Sequence, residues 1–418
     1  MLGLIFYVLL IKNVLAKSVV DERVPLIIFG VDGYSHQHYL QYGNKTSGDS
    51  NIFPIQPVFP TKTFPNFMSI ATGLYPTQHG IVNNGFYNQK RNLKFRYEDN
   101  QNEDFDWFKG EPIWVTAKKA GLRSYIDTWV GSGADYGGLI PDIEFGYRVH
   151  TFEQTVQGLV ENMDGDYRTR CDLYMLYSNE PDHSLHRNDN TDNETVQEII
   201  DLAERRISLL KSALGNRKYN LIITSDHGMT SHKRRYQLPK LIRDKAKLFY
   251  QGEVPWWYSK QNRSVAEDVR DLNRFLQSSG MTGLSAVETA ALDNRFQMCG
   301  LEEEGLPDII FIGDDGVVIS SWDYLAGGHG YDNTFPKMYA HARVSGPGFR
   351  EVPGVEDRPL KMNTELYNLF CSLLGIKPAN NTGDLYTFDS LLSNPPDRTE
   401  WEASYSQVQA PCDQPLPT

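Results

Sequence analysis

The chain has 418 residues, 40% of them hydrophobic and 12% aromatic, which suits one large α/β domain or two ordinary ones and excludes a disordered chain. Its net charge of −12 speaks against a polyanion-binding surface, so a phosphate chemistry here would need positive charge supplied locally by metal ions.

Met1 to Leu10 are apolar and Val14-Leu15-Ala16 offers small residues for cleavage. That reads as a secretory signal over residues 1–16, although an early Lys or Arg is missing. The apolar run before Lys12 is too short to span a bilayer, and no later segment is apolar enough. Pro25 to Val31 is a continuous apolar run ending at Asp32-Gly33, the pattern of a buried parallel strand. Phe59 to Asn66 then holds Thr61, Lys62 and Thr63, with a helix predicted from Phe64 to Thr72. Pro65 at an early helical position puts Thr63 at the N-cap, its hydroxyl near unpaired backbone donors. A plain capping role suits that position; a metal-bound hydroxyl there would become a nucleophile, and Thr61, outside the helix start, is the alternative.

A second helix is predicted over Ile113 to Ala120. The strand Leu173 to Tyr177 leads to Glu180-Pro181-Asp182, with His186 one helical turn on and His183 as its rival. After a helix from Thr195 to Leu214, the strand Asn220 to Thr224 runs into Ser225-Asp226-His227-Gly228. Residues 237–294 are more charged and carry Pro255-Trp256-Trp257-Tyr258, which predicts an inserted subdomain or cap. Asp308 to Ile312 repeats the buried-strand pattern more weakly, and His329 follows between glycines in Gly327-Gly328-His329-Gly330. A single catalytic domain is expected over 24–390, then a polar tail over 391–418 whose residues after Pro395 are loosely held.

Strands alternating with helices predict a mostly parallel central sheet with helices on both faces. The candidate ligands fall at or just after strand ends, where open α/β sheets place their sites. Three carboxylates (Asp32, Asp182, Asp226), three imidazoles (His186, His227, His329) and one hydroxyl suffice for two divalent ions with positions left open. Sequons at Asn44, Asn193, Asn262 and Asn380 agree with an exported, glycosylated protein. Cys171, Cys299, Cys371 and Cys412 suit an oxidising compartment and allow three pairings; none lies in a C-x-x-C arrangement.

These pieces closely resemble the ectonucleotide pyrophosphatase/phosphodiesterase family of the alkaline phosphatase superfamily. The resemblance runs from Val24 to about Asp384 through VDG at 31–33, FPTKTFPN at 59–66, ATGLYPTQHGIVNN at 71–84, EPIWVTA at 111–117, EPD at 180–182, ITSDHGM at 223–229 and GGHGYDN at 327–333. It implies an alkaline-phosphatase-like fold of the compact, single-catalytic-domain type and a secreted enzyme with two zinc ions per chain. It also implies that Thr63 is the nucleophile of a phosphothreonine mechanism, sharing one zinc with Asp32, Asp226 and His227, while Asp182, His186 and His329 hold the other. By the same resemblance Asn84 addresses a phosphate oxygen, and Phe64 and Tyr147 sandwich a nucleobase. The implied partners are small nucleotides such as ATP or dinucleoside polyphosphates, released as nucleoside 5′-monophosphates, with no nucleic-acid surface and no membrane anchor. Leu185 stands where the family has a glycine after EPD, and the family's Tyr-Gly-Pro is absent, which changes the leaving-group wall. A choline-phosphodiester or lysophospholipid hydrolase, or an idle binding protein of the same fold, are the alternatives.

Overall fold

A computed structural model describes residues 23–44, 51–96, 107–147, 149–166, 168–300, 305–321, 325–350 and 358–413; the predicted leader and Ala16 lie outside the described residues. The principal strands are β1 (Leu26–Val31), β2 (Asn51–Gln56), β3 (Ser124–Asp127), β4 (Ile143–Phe145), β5 (Leu173–Ser178), β6 (Asn220–Thr224), β7 (Ala246–Tyr250), β8 (Trp256–Ser259), β9 (Leu284–Glu288), β10 (Ile309–Gly313), β11 (Ala340–Ser345) and β12 (Lys361–Met362). The principal helices are α1 (His36–Tyr42), α2 (Thr63–Thr72), α3 (Ile113–Lys119), α4 (Phe152–Asp164), α5 (Asp182–Leu185), α6 (Asn193–Leu214), α7 (Val265–Ser278) and α8 (Leu366–Leu374).

Eight strands form the central sheet in the order β12-β2-β11-β6-β1-β5-β3-β4. Only β11 runs against its neighbours, so the sheet is mostly parallel. Every residue of β1 is buried because successive side chains face opposite layers and both layers are covered. Ile27, Phe29 and Val31 pack with Val156 and Leu159 of α4 and Val196, Ile200 and Ile207 of α6. Leu26 and Ile28 pack with Phe67 and Ile70 of α2, Trp114 of α3 and Leu369 of α8. The buried positions of α6 recur every three or four residues, and its start is capped by Asp192 accepting from the Thr195 N–H. Burying each such aliphatic side chain contributes about 1.5–3 kcal/mol, so docking rather than propensity holds the helix.

The structure departs from the sequence expectations in several places. The run Asp308 to Ile312 forms β10, but in a second, antiparallel sheet ordered β7-β8-β10-β9. An apolar run reports burial, not which strand lies alongside. Residues 237–294 supply the other three strands and α7; Trp256 and Tyr258 join this sheet to the main body by packing with Phe59, Met68 and Phe86.

Residues 396–413, expected to be loose, are anchored. Trp401 is buried, Arg398 donates to Asp389 (2.7 Å), the Val408 N–H donates to the Asn381 carbonyl (2.7 Å), and Cys412 is bonded to Cys299. A few spaced anchors suffice to hold a polar segment. Cys171 and Cys371 are buried and reduced, so one bridge forms, not a framework of two. Asn193, Asn262 and Asn380 are exposed; Asn44 is half-buried, and the rest of its sequon lies outside the described residues. Among the described residues no helix is long and apolar enough to cross a membrane.

Candidate active site

Asp32 stands one residue beyond β1, its N–H donating to the Ser178 carbonyl at the end of β5 (2.9 Å). Asp226 and His227 follow β6, and Asp182 opens α5, which carries His186 to the same side one turn later. Gly33 permits this convergence. Its φ of +70° is a left-handed turn, and a Cβ there would sit 2.7 Å from Asp182 Cβ. His329 arrives from the glycine-rich loop, whose Gly328 leaves room for Glu253: a Cβ would meet its Oε1 at 2.1 Å.

Thr63 is the first residue of α2 rather than its N-cap, which is Lys62 in extended conformation. Proline is tolerated anywhere in a helix's first turn because those N–H groups are unpaired, so Pro65 does not set the register by itself. The Thr63 hydroxyl lies 3.2 Å from His227 Nε2. Thr61 is otherwise occupied. Its buried hydroxyl accepts from the Gly330 N–H (2.8 Å) and donates to the Tyr331 carbonyl (3.1 Å).

Seven residues named from the sequence are thereby brought together: Asp32, Thr63, Asp182, His186, Asp226, His227 and His329. His227 Nε2 lies 3.0 Å from Asp226 Oδ2 and 3.5 Å from Asp32 Oδ1. Asp182 Oδ1 lies 3.4 Å from His186 Nε2 and 3.5 Å from His329 Nε2. His227 and His329 stack at 3.6 Å, so Asp32, Asp226 and His227 form one potential metal group and Asp182, His227 and His329 a second. His183, the rival to His186, turns its ring nitrogens to Arg187 instead.

The chemistry of this cluster is that of a cation site. Asp32 Oδ1, Asp182 Oδ1 and Asp226 Oδ2 are buried without a hydrogen-bond donor. Each of the three imidazoles uses Nδ1 to donate to a backbone carbonyl: His186 to Gly327 (2.8 Å), His227 to Gly228 (2.9 Å) and His329 to Thr61 (2.8 Å). That leaves Nε2 free to ligate a metal, the arrangement usual for metal-binding histidine. Burial, then the neighbouring Asp226 and Asp182, push the Asp32 carboxyl well above its ordinary range. Burial likewise pushes His329 well down, helped by His227, Lys62 and His186. Burial would lower His227 too, but the Asp226 and Asp182 carboxylates outweigh it and raise that imidazole. Divalent cations fit such crowded, donor-poor carboxylates and relieve their repulsion.

Around the cluster, Asn84 Oδ1 accepts the Phe64 N–H (2.9 Å), which points the donor end of its amide elsewhere. Phe64 sits edge-on to Phe95 at 6.0 Å. Tyr147, 55% exposed in the loop after β4, lies 6.2 Å from the ring of Tyr177. Sequence reasoning missed the second sphere. Tyr177 donates to Asp32 Oδ2 (2.5 Å), Lys62 pairs with Glu253 (2.6 Å), and His232 Nε2 meets the other Glu253 oxygen (3.1 Å). Burial alone would raise the Glu253 carboxyl, but Lys62 and His232 hold it well below the usual range. Tyr177 carried a signal, an aromatic one residue before its strand's end and five before a candidate ligand; Glu253 carried none.

The family model described as type I phosphodiesterase / nucleotide pyrophosphatase matches residues 26–332. Human ectonucleotide pyrophosphatase/phosphodiesterase family member 1 is 32% identical over 406 residues, covering 90% of this chain and 42% of the relative. Venom phosphodiesterase 2 of Crotalus adamanteus is 30% identical over 404 residues, covering 90% and 48%. The chain spans about half the length of the curated relatives it matches. Among solved structures, murine ectonucleotide pyrophosphatase/phosphodiesterase 5 superposes with a TM-score of 0.78 at 25% identity, covering 88% of this chain and all of that one. An inactive threonine-to-alanine variant of the murine protein, in complex with AMP, gives 0.77 at 24% identity over 89% and 100%.

Proposed function

Because the chain belongs to the type I phosphodiesterase / nucleotide pyrophosphatase family, we propose that it hydrolyses phosphodiester or pyrophosphate bonds of extracellular nucleotides to nucleoside 5′-monophosphates. The observation that carries this is the Thr63 hydroxyl, at the N-terminus of α2 and 3.2 Å from His227 in a cluster of buried, unsatisfied carboxylates. Asp32, Asp226, His227 and Thr63 would hold one zinc ion, and Asp182, His186 and His329 the other. When bound, such ions neutralise phosphoryl charge and make a hydroxyl more acidic.

The chain's own groups do the rest. Thr63 Oγ1 gives up its proton to solvent and bonds to phosphorus as the bond to the leaving oxygen breaks, and the leaving group departs with that electron pair and takes up a proton. The phosphothreonine is then cleaved by water, which restores the hydroxyl and releases the monophosphate. Asn84 donates from Nδ2 to a non-bridging oxygen, since its Oδ1 is held by the Phe64 N–H. The base rests between Phe64 and Tyr147; the AMP complex of the murine relative supports a nucleotide over a choline ester. One catalytic unit over 24–390 carries this chemistry, with 237–294 as a cap and 391–418 as a polar tail. The protein acts as a secreted glycoprotein modified at Asn44, Asn193, Asn262 and Asn380, three of which are exposed.

The test is a substrate panel run on wild type and Thr63→Ala. Wild type should hydrolyse a thymidine 5′-monophosphate 4-nitrophenyl ester far faster than a phosphocholine 4-nitrophenyl ester. Thr63→Ala should lose at least a thousandfold in turnover yet still bind AMP, while Thr63→Ser keeps measurable activity. Preference for the phosphocholine ester would replace the nucleotide reading with the lipid-directed one, and near-normal turnover in Thr63→Ala would remove the nucleophile assignment.

A further inference from the structure

Tyr177 occupies a junction that the proposed chemistry leaves unexplained. It is the fifth residue of β5, paired in register with Gly30 of β1, two residues before Asp32. Its hydroxyl donates to Asp32 Oδ2 at 2.5 Å, while Asp32 Oδ1 has no donor and lies 3.5 Å from His227 Nε2. One carboxylate oxygen is therefore occupied and the other is aimed into the cluster. The ring has neighbours as well. Phe67 meets it edge-on at 5.5 Å, and Tyr147 does so at 6.2 Å from the solvent side. Phe67 in turn packs on Trp129 at 4.9 Å, so the Tyr177 ring is braced from behind.

We propose that Tyr177 is a positioning residue with two separable tasks: its hydroxyl orients Asp32 for metal ligation, and its ring supports the Tyr147 wall of the nucleotide pocket. The inference rests on the reading of the site given above. Asp32 without that donor could rotate or bind a cation through both oxygens, which loosens the ligand set. Tyr147 is more than half exposed, and the Tyr177 ring offers it a supporting edge at 6.2 Å. Outer-sphere partners of metal ligands are worth about 10- to 100-fold in metal affinity or activity.

The experiment compares full-length wild type, Tyr177→Phe and Tyr177→Leu, each with zinc affinity measured by competition against a chromogenic chelator. Steady-state kinetics are run on a thymidine 5′-monophosphate 4-nitrophenyl ester and on bis(4-nitrophenyl) phosphate, which lacks a base. Tyr177→Phe should weaken zinc binding about 10- to 100-fold and lower kcat on both esters at limiting zinc, with KM for the nucleotide ester unchanged. Tyr177→Leu should add a rise of about tenfold in KM for the nucleotide ester alone. The melting temperature of metal-stripped Tyr177→Phe should match that of metal-stripped wild type, which separates positioning from general stability.

Wild-type zinc affinity and kcat in Tyr177→Phe would overturn the first task. An equal KM rise on both esters in Tyr177→Leu would overturn the second; if that variant does not fold, Tyr177→Met, which also lacks the ring, is read in the same way. Wild type that binds no zinc would overturn the site reading itself, a different signature from any of these.

Discussion

At the scale of single residues, the site is a set of side chains with one atom each pointed inward and the rest tied down. Thr61 and Thr63 stand two apart in one short block, yet only Thr63 has its hydroxyl toward the imidazoles, because Thr61 is bonded to Gly330 and Tyr331. Tyr147 is the most exposed of the proposed substrate contacts, with 55% of its surface exposed. Stacking a base on such a ring is worth roughly 1–3 kcal/mol and tolerates any base. Tyr147→Ala should then lower kcat/KM for the thymidine ester by about 10- to 100-fold, as ~1.4 kcal/mol is a factor of ten. Hydrolysis of bis(4-nitrophenyl) phosphate should hardly change. Equal losses on the two esters would make Tyr147 a support of the site rather than a wall of the pocket.

At the scale of elements, the ligand-bearing loops are pressed against their neighbours with no spare volume. The Asp226-His227-Gly228 turn packs on the Pro336–Met338 turn, where the Gly228 N–H donates to the Met338 carbonyl (3.0 Å). A Cβ at Gly228 would lie 1.9 Å from the Lys337 carbonyl oxygen and 2.8 Å from Ser35 Cβ. Backbone cannot rotate aside as a side chain can. Gly228→Ala should therefore cost about 3 kcal/mol, the upper end of ordinary overpacking, and should also weaken zinc retention by shifting His227. Urea denaturation of the variant beside wild type measures the first effect, and an unchanged midpoint would show that the turn has room to move.

At the scale of the whole molecule, several histidines other than the proposed ligands are held neutral, His79 and His341 buried and His38 half-buried. Burial pushes His79 down to about 3 and His38, aided by Lys337, down to about 4; burial, then Arg343, lower His341 well below its ordinary value. For His79 the hydrogen bonds agree: Nδ1 accepts the Ile81 N–H (3.3 Å), which an imidazolium could not do, while Nε2 lies 3.1 Å from the Pro65 carbonyl. A histidine with a depressed folded-state value binds its proton more readily when unfolded. Stability is thus full above about 6.5 and falls as pH drops, by about 1.4 kcal/mol per pH unit for each such group until its folded value is reached. His79→Gln should flatten the dependence of unfolding free energy on pH between 6.5 and 5 by that slope. A wild-type slope retained in the variant would show that His79 takes up its proton in the folded protein.

Much of this was legible in the sequence because the signals are local. A run such as Leu26 to Val31 is apolar throughout since both sheet faces are covered, and its break at Asp32 marks the end where a site can form. The helix α6 is written in the three-to-four spacing of its buried residues. The residues that would gather round a cation followed from those strand ends and from the resemblance of the motifs around them. What the sequence did not contain are choices between partners far apart along the chain. Which sheet takes Ile309–Gly313, which cysteines meet 113 residues apart, and why residues 396–413 stay down depend on neighbours that no local pattern names. The same holds for Thr63 over Thr61, decided by the hydrogen bonds that tie the Thr61 hydroxyl to Gly330 and Tyr331 some 270 residues on, and for Tyr177 against Asp32. Periodicity reports that a side chain is buried and how it repeats; only the packed chain decides what it is buried against, and hydrogen-bond geometry then selects the atom that remains free to react.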